Sequence, residues 1–111
     1  MTETLDAALK QRLRAVLDDR PVTETELRNL IEEGMSCALI LEGRLRRIEQ
    51  RLADLSSDPS SSLAEFASQM RAANEVRPDL DELRALLAEL TALARRFRAS
   101  WLSAGAQLTP P

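Results

Sequence analysis

The chain has no histidine or tyrosine, and only one cysteine, three glycines and three aromatic residues in 111 positions. Each scarcity excludes something. Without His, and with Cys37 alone, one chain cannot assemble a zinc site or a Ser/His or Cys/His nucleophile system. No intrachain disulfide is possible, and Cys37 lies in the apolar run Met35-Ser-Cys-Ala-Leu-Ile-Leu41, the setting of a small buried hydrophobe in a reducing cytoplasm. With few glycines there is no phosphate-cradling loop, and the turns that a β architecture needs are missing. No apolar run approaches the roughly 18 residues that span a bilayer. The amino terminus, acidic and polar, does not read as a signal peptide, so a cytoplasmic protein is expected.

Basic charge is scarce in a particular way: 14 of the 15 basic residues are Arg and only Lys10 is Lys. The formal charge of −3 gives no general attraction to phosphate. The Arg clusters 44/46/47/51 and 95/96/98 are interleaved with or face acidic positions, so nucleic acid is not an expected partner. Neither a cofactor nor a metal is implied.

What the chain does have is helical periodicity. Hydrophobic residues make up 44% and charged residues 30%, a globular balance for one all-α domain over 1–105, with 106–111 expected to be a flexible tail. Helix one is predicted from Glu3 to Asp19, with Leu5, Ala8, Leu9, Leu13, Val16 and Leu17 on one face and Lys10, Arg14 and Asp18 on the other. Pro21 stops it. Thr23 with Glu26 forms a capping box, and Val22 with Leu27 a hydrophobic staple, opening a long helix over about 23–56. Ser56 to Ser62 reads as a turn, and Ser62 with Glu65 as a second capping box.

Helix three is predicted from Leu63 to Glu75 on a thin stripe of Leu63, Phe66, Met70 and Ala73. Arg77-Pro78-Asp79 then interrupts, and Asp79 with Glu82 caps a fourth helix. Its face is Leu80, Leu83, Leu86, Leu87, Leu90, Leu93, Ala94, Phe97 and Trp101, with Gly105 as its C′ residue. The expected architecture is thus a small bundle of four helices whose long second helix extends, with helix three, into a coiled-coil-like hairpin. A full reversal at Pro78 would instead give an up-down four-helix bundle.

The candidate binding residues follow from the long helix. Leu27, Ile31, Gly34, Ala38, Leu41, Leu45, Ile48, Leu52 and Leu55 alternate steps of four and three, the spacing of a seam that meets another helix. Gly34 and Ala38 permit close approach, and the run Met35 to Leu41, apolar nearly all round, is expected at the centre of the fold, where either several helices of the chain converge or a subunit or client covers it. Below it Glu42, Arg44, Glu49 and Arg51 flank the stripe. In a parallel homodimer Arg44 of one copy would meet Glu49 of the other. Phe97 and Trp101 are read either as a cap on the core or as a tip that binds a client.

The leading expectation is a nonenzymatic interaction module, adaptor or chaperone-like, that self-associates and holds an amphipathic helix of another protein. In size, acidity and helix pattern it resembles small export chaperones, including flagellar ones, which implies a helical client. Two alternatives are a helical regulatory or nucleic-acid-associated protein and a small Arg/Glu enzyme. For the latter, the Leu, Arg and Asp rhythm of Leu9 to Arg20 resembles all-helical chorismate mutases, although here the long helix comes second and Lys10 is the sole lysine.

Overall fold

The computed structural model describes residues 2–18 and 21–108, with side chains over 7–18 and 21–102. Three α-helices account for nearly all of it: α1 Thr2–Leu17, α2 Glu24–Ser57 and α3 Leu63–Leu108. Among the described residues the chain is all-α with three helices, not four.

The starts are where side-chain chemistry puts them. Thr23 Oγ1 accepts a hydrogen bond from the Glu26 backbone N–H at 3.1 Å, satisfying one of the donors that every helix start leaves open. Ser62 Oγ does the same for the Glu65 N–H at 3.3 Å. The turn between α2 and α3 is built by its own polar groups. Ser60 donates from both its backbone N–H and its hydroxyl to Asp58 Oδ1 at 3.0 and 2.7 Å, and Ser61 Oγ donates to the Leu55 carbonyl at 2.6 Å. The two Ser60 bonds, side chain first, hold the Asp58 carboxyl below the usual carboxylate range.

Pro78 corrects the four-helix expectation, because α3 runs through it. Proline removes one backbone hydrogen bond and its ring presses on the preceding turn, which costs about 3 kcal/mol in a helix interior. Here Asn74, Arg77, Pro78 and Asp79 are all exposed, so water can take the carbonyl left unpaired. On the opposite side Ala73, Val76, Leu80 and Leu83 are buried, and their packing carries the helix across the interruption. Asp79 and Glu82 therefore lie within a helix and do not begin one. Gly105 likewise is inside α3, as are Ala106 to Leu108; Thr109 to Pro111 and the expected first-helix end at Asp19 fall outside the described residues.

The chain forms two compact units. The first comprises Met1–Met35 and Ala85–Pro111, where α1, the amino-terminal part of α2 and the carboxy-terminal part of α3 bury Leu9, Leu13, Val16, Leu27, Leu30, Leu86, Leu87 and Leu90. Lys10, expected on the polar face of α1, is buried at 7% exposure; a long apolar stem lets lysine be covered in this way. The second unit, Ser36–Arg84, is a helical hairpin around the Asp58 turn, with Ala38, Leu41, Ile48 and Leu55 of α2 and Ala73, Val76, Leu80 and Leu83 of α3 buried. Leu63, expected on the buried stripe, is 86% exposed, and Met70 is only partly covered.

Candidate functional site

Within the first unit, α2 and α3 leave a groove of about 270 Å³ between them. Glu24, Leu27, Arg28, Ile31 and Glu32 line it from α2, and Ala94, Phe97 and Arg98 from α3. The α2 residues recur at spacings of three and four, so they share one face. Leu27, almost wholly buried, makes the floor, while half-buried Ile31 and Ala94 make the walls. Phe97 stands at the rim, 45% exposed, and one turn on along α3 is Trp101, at 70% exposure. Leu102 beside it is also exposed. Trp101 therefore does not cap the core.

Charge frames the same groove. Glu24 Oε1 receives Arg28 Nη2 at 3.6 Å and Arg98 Nη2 at 3.9 Å, linking the two helices at one end. These groups are exposed, so each pair contributes about 0–1 kcal/mol and acts more on orientation than on stability. Small-molecule sites usually enclose about 300–1,000 Å³. At about 270 Å³ this groove falls just below that range, with room for one or two apolar side chains.

The residues of the predicted seam divide by environment. Gly34 is buried in the first unit, and its reason is visible: an added Cβ would sit 2.5 Å from Leu87 Cδ2 and 3.3 Å from Leu87 Cγ. The close approach anticipated at Gly34 is thus within the chain. Ala38, Leu41, Ile48 and Leu55 are buried in the second unit, while Glu42, Arg44, Leu45 and Leu52 are half-buried and Glu49 and Arg51 exposed. Two of the flanking charges pair inside the hairpin, Glu42 with Arg84, and Arg51, whose Nε donates to Glu65 at 2.8 Å. A second concavity there is lined by Glu42, Leu45, Arg46, Glu49, Leu80 and Arg84. Its two acids balance its two arginines, so it offers no net field to an anion.

The run Met35 to Leu41 departs from expectation. Only Ala38 and Leu41 are buried; Cys37 is half-covered, and Met35, Leu39 and Ile40 are 56%, 67% and 64% exposed. All-round apolarity signalled this surface in the sequence, but periodicity could not say which residues a second helix would cover. Leu87 as the partner of Gly34 was also invisible, since a contact 53 positions away leaves no local pattern.

Among the described residues no group of three His, Cys, Asp or Glu is placed to hold a metal ion, and no helix is long and apolar enough to cross a membrane. No family model, curated protein or solved structure matches the chain. What the fold defines, among the described residues, is an all-α protein of three helices.

Proposed function

We propose that the protein is a nonenzymatic helical interaction module that receives an amphipathic helix of another protein in the groove of its first unit. The observation that carries this reading is the continuity of the groove with an exposed aromatic edge, Phe97 and Trp101, at successive turns of α3. Two exposed aromatics on one helix face present on the order of 300 Å² of apolar surface, the scale of a functional patch on a monomer. A docking helix would place residues at i, i+3/i+4 and i+7 along it, one entering over Leu27 and another stacking on Trp101. Glu24, Arg28 and Glu32 of α2 and Arg98 of α3 would then pair with the polar flanks of that helix.

Trp101 is the only tryptophan, so it reports on its own environment. Affinity capture from extract of the source cells is expected to retain one stoichiometric protein, lost when Phe97 and Trp101 are both changed to Ala. Adding that protein to the purified chain is expected to shift Trp101 emission to the blue as water is excluded. Equal capture by the double variant, or no stoichiometric protein at all, would reject the reading. A salt-sensitive nucleic-acid signal in its place would favour the regulatory alternative.

A further inference from the structure

The apolar stripe of α3 in the first unit outruns the helix it packs on. Leu86, Leu90, Leu93, Phe97 and Trp101 recur in steps of four and three, so they share one face of α3. Along that face burial fades in one direction. Leu90 is wholly buried and Leu93 half-buried, whereas Phe97 is 45% and Trp101 70% exposed. Gly34 of α2 faces Leu87, and Glu24 at the start of α2 reaches Arg98, so the two helices run antiparallel and α2 begins level with Arg98. Trp101 is about 4.5 Å further on at 1.5 Å per residue, where no turn of α2 stands beside it.

The charge at this end is one-sided. From Leu90 onward the sequence has three arginines and no acidic residue, in a chain of net charge −3. Arg95, Arg96 and Arg98 are all exposed. At about 100° per residue Arg96 and Arg98 fall on either side of Phe97, so the uncovered stripe has a cation along each edge. Within the groove the balance differs. Glu24 lies between Arg28 and Arg98, and Glu32 is about 12 Å along α2 from Glu24 at 1.5 Å per residue. The positive edges are thus confined to the aromatic end. A second copy of this end would set arginine against arginine, so the charge selects against self-pairing there. An anionic bilayer would satisfy the charge but not the shape, because a flat surface cannot enter the groove over Leu27 that leads to the stripe.

Resting on the reading of the groove as a helix-binding site, we propose that its occupant is an acidic amphipathic helix. Its apolar side chains lie over Leu27, Phe97 and Trp101, and Asp or Glu residues flanking them meet Arg96 and Arg98. Each guanidinium offers a planar fork that takes both oxygens of a carboxylate. The bound helix occupies the place along α3 that α2 leaves open.

The probes are two synthetic helical peptides of about 14 residues, free of Trp, that share a leucine stripe at i, i+4, i+7 and i+11 and differ only in Glu or Lys beside it. Trp101, the one tryptophan, reports binding. The Glu peptide is expected to shift its emission to the blue with a Kd at least about ten-fold below that of the Lys peptide, and to bind more weakly as salt rises. In Arg96→Glu/Arg98→Glu, with helicity checked by circular dichroism, the preference should reverse. Equal blue shifts with both peptides, or a preference that survives the double reversal, would overturn the acidic assignment and leave the groove reading standing. No shift with either peptide would remove both. Vesicles of phosphatidylcholine and phosphatidylserine are expected to leave the emission unchanged, and a blue shift with them at physiological salt would assign the surface to a membrane instead.

Discussion

At the residue scale Gly34 marks a close approach within the chain, and substitution should expose it. Gly34 faces Leu87 at a distance no Cβ tolerates, so Gly34→Leu must displace buried Leu87 and is expected to destabilise the fold by about 1–3 kcal/mol, the usual penalty of overpacking. Urea denaturation measures this directly, and unchanged stability would show that the close approach is absent. Asp58 gives a pH prediction of known sign. Its carboxyl titrates below its ordinary value because Ser60 donates two hydrogen bonds to it, so the bonds stabilise the turn above the ordinary carboxylate pKa. That stabilisation is lost as pH falls through the lowered folded pKa. In Ser60→Ala the side-chain donor disappears, and the Asp58 titration midpoint, followed by NMR, is expected to move back up.

At the element scale, local chemistry set the capped helix starts, and the predicted break at Pro78 failed. Thr23→Ala removes the acceptor for the Glu26 N–H and is expected to cost about 1 kcal/mol, detectable as a lower urea midpoint. Pro78→Ala should do the reverse. It restores a backbone hydrogen bond inside a continuous helix, offset in part by a more flexible unfolded chain, and a gain of about 1–2 kcal/mol is expected. The break was legible as a local penalty of a few kcal/mol. What was not legible was the compensation: Ala73, Val76, Leu80 and Leu83, buried on the side away from Pro78, outweigh it together.

At the scale of the whole molecule each unit has its own set of buried leucines, and truncating one tests it. Leu13→Ala and Leu90→Ala in the first unit and Leu80→Ala in the second remove side chains that are at most 2% exposed, so each is expected to lose about 2–5 kcal/mol. Only part of the groove was readable beforehand, and of its lining only Phe97 as a binding candidate. Phe97 and Trp101 stood out as rare aromatics in a run of aliphatics, and Leu27 and Ile31 as members of the α2 stripe. Their assembly into one groove was not, because it depends on Ala94 and Arg98 arriving beside Glu24 and Arg28 from some 70 positions away.

The sequence by itself determined the helical class, the capped starts at Thr23 and Ser62 and the Asp58 turn. These follow from covalent makeup and from interactions between residues a few positions apart. Tertiary structure alone decided that α3 continues through Pro78, that Gly34 receives Leu87, and that Leu39, Ile40 and Trp101 are left facing solvent. Burial depends on which surfaces meet, and an amphipathic pattern specifies that a face will be covered without specifying by what.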